Sequence, residues 1–212
     1  MMKKIICRCL MVMMFSMQII ACTNSDVALV KSGVMSAYNK NTVGNVFEAS
    51  FDEAQWQAVT TKKGERVVRF TGKISQDLHD AVVADVEQKT QTLKVYQQEE
   101  LKIQYIQQLV KKQGIDGALF QQLNAEYGCV LRESSLAGGV IWWTPTCQDN
   151  ANWGKYLEAA KQAFLAQAWQ VGDTVEVEWA ISADGKQFDV TQMASPSWEG
   201  LAYEHILAAI YR

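Results

Sequence analysis

Two histidines and five cysteines are the side chains of this 212-residue chain best suited to acid–base, metal or covalent chemistry. His79 stands in Asp77-Leu78-His79-Asp80, where an imidazole flanked by carboxylates could serve as a general base. His205 follows Glu204 within a helical pattern near the C-terminus. Both contexts equally describe polar residues on a helix surface, and no Ser or Cys nucleophile is locally paired with either. G-x-S-x-G, H-E-x-x-H, Walker and G-x-G-x-x-G patterns are absent. A zinc site would want four ligands and short-spaced pairs, which the chain does not offer. The expectation is therefore a non-enzyme without metal or cofactor. A different chemistry, stacking and anchoring, belongs to Val140-Ile141-Trp142-Trp143-Thr144-Pro145 and to nearby Trp153.

The cysteines divide by position. Lys3, Lys4 and Arg8 precede an apolar, Met-rich stretch from Leu10 to Ile20, too short for a membrane span and shaped like a secretory signal. It ends Ile19-Ile20-Ala21-Cys22, which resembles the lipobox of bacterial lipoproteins. The resemblance implies cleavage before Cys22, acylation of its sulfur and new amino group, and a stable membrane anchor. Thr23, rather than Asp, after the Cys implies the outer membrane. The 20 basic residues less Lys3, Lys4 and Arg8 leave 17 against 23 acidic ones, so the mature chain carries −6. That charge disfavours nucleic acid as a partner. Cys7 and Cys9 fall in the signal, so Cys129 and Cys147 remain as a pair in an oxidising compartment and are expected to form a disulfide.

The elements that must position these residues follow from periodicity. Thr42 can cap a helix over 42–50. Trp56, Ala58 and Thr60 alternate before Lys62-Lys63-Gly64, and Val68 and Phe70 alternate after it. A three-residue loop ending in Gly64 sets Trp56 against Phe70. Val175, Val177, Trp179 and Ile181 alternate up to Asp184-Gly185, a two-residue turn signal that sets Ile181 against Phe188 and Trp179 against Val190. Ser195 and Pro196 can open a C-terminal helix with Tyr203, Ile206, Leu207 and Ile210 on one face.

Between the hairpins the character changes. Residues 76–112 are Gln- and Lys-rich with apolar residues at helical spacing, a long amphipathic helix that is whole or broken in two. Its apolar seam serves either an internal bundle or another chain. Helices over 118–127 and 154–169 follow. Cys129 and Cys147 are symmetric about Gly138, so a hairpin turning there joins the two sulfurs. The predicted fold is α+β: a four-stranded antiparallel sheet from two hairpins with helices packed on it, and a helical insertion holding a disulfide-pinned hairpin. The division read from the pattern is a signal over 1–21, a lipidated tether over 22–34, the α+β domain over 35–75 and 171–212, and the insertion over 76–170.

Thr42-Val43-Gly44, Phe47, Trp56, Gly64 and Val67-Val68-Arg69-Phe70-Thr71-Gly72 resemble a small α+β domain of uncharacterised bacterial secreted proteins and lipoproteins. The likeness covers about 33–75 well and 171–212 loosely, and it brings no catalytic residues. Taken together, the residues predict an outer-membrane lipoprotein, tied to the membrane at Cys22 and probing the periplasm. Its expected role is non-catalytic binding of an envelope protein, as an assembly factor or enzyme inhibitor. The competing expectation is a glycan- or small-ligand-binding lipoprotein using Trp142, Trp143 and Trp153. A weaker third is a hydrolase built on His79.

Overall fold

The computed structural model of the chain describes residues 25–38, 40–96, 103–135 and 141–212. The elements run α1 (25–32), α2 (Val43–Ser50), β1 (Phe51–Thr60), β2 (Arg66–Ile74), α3 (Gln76–Tyr96), α4 (Gln104–Gln113), α5 (Ala118–Tyr127), β3 (Cys129–Ser135), β4 (Ile141–Cys147), α6 (Asn150–Leu165), β5 (Thr174–Ile181), β6 (Phe188–Ala194) and α7 (Tyr203–Ile210). The fold is α+β, with a four-stranded antiparallel sheet ordered β1-β2-β5-β6 and a two-stranded sheet β3-β4. Two compact units emerge. One holds the residues up to 73 with 174–195 and 210–212; the other holds 74–173 and 196–209. The pattern had grouped 196–209 with the sheet, whereas in the structure it joins the helical unit.

The sheet unit is built around Phe47. Thr42 caps α2, its hydroxyl accepting from the Asn45 amide at 3.3 Å, and α2 turns Val43 and Phe47 inward. Gly44 is required by close approach, because a Cβ there would lie 2.9 Å from the Lys31 carbonyl oxygen of α1. On the sheet, Val68 pairs with Trp179 and Phe70 with Val177, all four fully buried. Phe47 meets Phe70 and Trp179 edge-on at 5.1 and 5.2 Å, and Trp56 stacks on Trp179 at 5.5 Å. Such aromatic pairs add to their area of burial.

Both turns keep the predicted registers, by different means. The first loop closes with Thr61 donating to the Glu65 carbonyl at 2.9 Å, Gly64 taking φ +84° and the Trp56 and Phe70 rings 4.8 Å apart. In the second, Ile181 pairs with Phe188 and Trp179 with Val190 as expected. Its loop is four residues, not two. Ser182 and Gln187 close it, and Asp184 accepts from the Ser182 hydroxyl at 2.6 Å and the Lys186 amide at 3.1 Å. One residue leaves the ladder on each side, so the register is unchanged.

The helical unit buries Tyr105, Ile106 and Leu109 of α4, Phe120 and Leu123 of α5, and Tyr156, Leu157, Ala160 and Phe164 of α6. Asp149 caps α6 through the Ala151 amide at 2.9 Å. The Tyr105 hydroxyl donates to the Leu157 carbonyl at 3.3 Å and that of Tyr156 to Asn124 at 3.1 Å. The α4 part of the Gln-rich stretch's apolar seam, Ile103, Ile106 and Leu109, is thus internal. Cys129 and Cys147 face each other in the β3–β4 ladder and are disulfide-bonded. The expected turn at Gly138 lies outside the described residues.

Two expectations are corrected and one open alternative is decided. The stretch read as a tether over 22–34 is helical from residue 25, with Val30 fully buried and the Asp26 carboxylate gripped by Arg66; polar residues there mark a helix start, not slack chain. Of the two alternatives for 76–112, the broken helix is the one observed, as α3 and α4. The C-terminal helix begins at Tyr203 rather than Pro196, which opens only a short 3₁₀ turn over Pro196–Trp198, and Tyr203 is exposed while Ile206, Leu207 and Ile210 are buried.

Candidate functional site

On α4 two stripes run side by side. Tyr105, Ile106 and Leu109 face the core, and burial holds the Tyr105 phenol well above its ordinary pKa. Gln104, Gln107, Gln108 and Lys111, spaced i, i+3, i+4 and i+7, form the neighbouring polar stripe. This stripe is one wall of an open groove of about 320 Å³. Trp143 of β4 supplies a second wall, and Gly200, Ala202, Glu204 and His205 a third.

Each wall is held by specific bonds. The Gln107 amide donates to the Trp143 carbonyl at 2.6 Å and accepts from the Trp143 amide at 2.8 Å. A side-chain amide here stands in for the peptide of a neighbouring strand and satisfies backbone that β3 does not reach. It fixes Trp143 against α4. The third wall is tethered at Glu199, 3.4 Å from Lys112, and at Ser197, which donates to Asp173 at 2.5 Å and accepts from the Gln170 amide at 2.8 Å.

What the groove offers a ligand is amide, indole and two opposite charges. Gln104 is exposed, Trp143 half-buried, and the Gln108 side-chain oxygen is buried without a hydrogen-bond partner in the protein. An acceptor left so is costly, by about 1–3 kcal/mol, until a donor reaches it. Lys111 and Glu204 balance one another in formal charge. Among the described residues the lining has no Ser, Thr or Cys, so His205 has no hydroxyl or thiol beside it there.

The residues singled out from sequence are separated. Trp142 and Trp153 are 6% and 8% exposed, so neither presents an aromatic face to a partner; of the three, Trp143 is the one that lines the groove. Adjacent residues of a strand point to opposite faces, and the Trp142 face packs inward. His79 donates from Nδ1 to the Trp169 carbonyl at 2.7 Å, and Trp169 holds a left-handed φ of +56°. Its acidic neighbour Asp80 accepts from Gln76 at 2.7 Å. This is a backbone brace, and His79 does not line the groove. His205 does. Cys22 and the lipobox lie outside the described residues.

The periodicity that revealed the α4 core also contained its polar stripe, but a polar helix face reads as solvated surface until a third element closes over it. Nothing in the spacing announces that Gln107 binds the backbone of Trp143. Among the described residues no three His, Cys, Asp or Glu side chains are grouped to hold a metal ion, and no helix is long and apolar enough to cross a membrane. No protein family, no curated protein and no solved structure matches this chain.

Proposed function

We propose that this is a lipid-anchored protein of the bacterial outer membrane with a non-catalytic binding role, and that the groove beside Trp143 is its binding site. The groove carries the reading. It is concave, about 320 Å³ in volume, and lined by an aromatic ring and uncommitted amides. That volume lies at the lower end of the roughly 300–1,000 Å³ usual for small-ligand sites. Trp142 is buried, so the tryptophan hairpin presents Trp143 alone, at the edge of the groove. The lipobox at Cys22 and the resemblance to secreted and lipoprotein domains support the envelope location.

Two measurements test this separately. Cys22→Ala should move the protein from the membrane to the soluble fraction, and unchanged retention would remove the anchor. Immobilised full-length protein should retain envelope polysaccharide or peptidoglycan fragments, and Trp143→Ala should lose them. Retention of envelope proteins alone, unaffected by Trp143→Ala, would return the role to protein binding at another surface.

A further inference from the structure

Resting on the binding role just proposed, we infer that the groove takes one or two rings of an uncharged saccharide, with Trp143 as the stacking platform and Gln104 and Gln108 as the hydroxyl-reading groups. The argument is one of complementarity. Among the described residues, Lys111 and Glu204 sum to zero, and the rest of the lining is neutral apart from His205. An anionic ligand, whether nucleotide, phosphate or polyuronate, would meet one cation opposed by a carboxylate, and a cationic ligand the reverse. Neither is the natural occupant of a charge-balanced wall.

Amides suit hydroxyls. Each Gln side chain presents both a donor and an acceptor, and a sugar hydroxyl is also both. Gln107 is spent on the Trp143 backbone, which leaves Gln104 and Gln108 for the ligand. Gln108 lines the groove with a side-chain oxygen that is buried and accepts no hydrogen bond within the protein, so the side chain turns outward to meet a ligand donor. A hydroxyl or the N–H of an N-acyl group supplies it. Trp143 meets the requirement for an apolar surface, because a pyranose ring has a C–H face that packs on indole. Its half-burial, with the backbone clamped at two points, means that the ring is positioned before any ligand arrives, which lowers the ordering cost of binding.

Trp143 and Gln104 are also separable from the fold. The Gln107 clamp holds the backbone of residue 143, not its side chain, so Trp143→Ala keeps both bonds. Gln104 is exposed on the first turn of α4.

Calorimetric titration of the full-length protein in detergent tests the inference with four probes: linear glucose oligosaccharides, linear N-acetylglucosamine oligosaccharides, oligogalacturonate and an uncharged hexapeptide. One of the two neutral saccharides should bind saturably, with affinity unchanged in about 1 M salt, where screening reaches down to about 3 Å. Trp143→Ala and Gln104→Ala should each weaken it about tenfold at unchanged melting temperature. Tighter, salt-sensitive binding of the uronate, or preference for the peptide, would overturn the saccharide assignment while leaving a binding groove in place. Saccharide affinity indifferent to both variants would overturn the assignment and the groove together.

Discussion

The sheet unit and the helical unit solve the same problem with opposite materials. In the first, Phe47, Phe70, Trp56 and Trp179 converge from a helix and three strands into one aromatic contact set, and polar bonds lie outside it. In the second, apolar stripes on α4, α5 and α6 form the core. Its edges are set by individual bonds: the Cys129–Cys147 disulfide, the Gln107 clamp on Trp143, and the His79 brace on Trp169. A core held mainly by burial, with the Arg66 grip on Asp26 at its edge, needs the rest of its outer face only for solubility. A core whose edges are pinned one by one can leave a polar wall open, and the groove lies in that unit.

The largest test of this contrast removes the aromatic centre. Phe47→Ala should cost about 3–5 kcal/mol, since the ring is fully buried and its neighbours on two layers cannot collapse together. Hydrogen exchange should then rise throughout β1, β2, β5 and β6 while α4, α5 and α6 keep their protection. Equal loss in both units would show that they are one cooperative body and erase the comparison.

Next in size is the covalent pin. Replacing Cys129 and Cys147 by Ser should cost about 3 kcal/mol through the loop that the bond closes, with loss of protection confined to β3, β4 and their helices. Reduction should shift gel mobility in the wild type and not in Cys129→Ser.

Alkali should probe the same divide. Burial raises the phenols of Tyr105 and Tyr156, both in the helical unit, and raises Tyr211, in the sheet unit, to about 12. Above about pH 10 the unfolded chain releases these protons and the folded chain retains them, so stability must fall as pH climbs. Each tyrosine contributes a slope of about 1.4 kcal/mol per pH unit. Denaturant titrations from about pH 10 to 12 should therefore show the helical unit weakening more steeply than the sheet unit. A flat profile for the helical unit would mean that its phenols are solvated.

Legibility in the sequence divides along the same line. Alternation and turn residues placed the sheet correctly down to the pairs Trp179–Val190 and Ile181–Phe188, because a one-residue slip would invert every inward side chain. The disulfide followed from two thiols symmetric about a glycine pair. The loop at Asp184 was misjudged in length, since the Ser182 hydroxyl offers its own closure and makes the inner pair dispensable. Of the three tryptophans singled out, Trp142 and Trp153 are buried and Trp143 lines the groove, a division the sequence does not make because strand alternation says that adjacent residues diverge without saying which one is covered. The amides of Gln107 and Gln108 were invisible for a plainer reason: their role depends on a strand and on residues 200–205, some 35 and 95 positions away.

A smaller effect separates brace from base. His79→Ala removes one hydrogen bond and releases Trp169 from a left-handed backbone, and should cost about 1–2 kcal/mol. His79→Gln, whose amide can still donate, should recover part of that loss. Unchanged stability in His79→Ala, combined with altered ligand binding, would move His79 from the scaffold to the site.

The smallest expected effect lies on the solvent face of the sheet. Arg69 sits directly across from Glu178, with Nε and Nη2 at 2.9 and 2.7 Å from one carboxylate oxygen and Glu176 at 3.7 Å. The hydrogen bonds that Arg69 donates to Glu178 raise the guanidinium pKa further above an already high value, so the guanidinium stays charged. Arg69 is nonetheless more than one-third exposed, and water screens what the geometry offers. Arg69→Ala should cost only about 0.2–1 kcal/mol, and less in high salt, as measured by the denaturation midpoint. The same face shows why it is no counterpart of the groove. Its guanidinium and carboxylates are matched to each other at hydrogen-bond distance, whereas the Gln108 oxygen in the groove has no internal donor. A loss above about 2 kcal/mol for Arg69→Ala would mean that the sheet, too, depends on individual polar pins, and the division between a unit held by burial and a unit held by bonds would not stand.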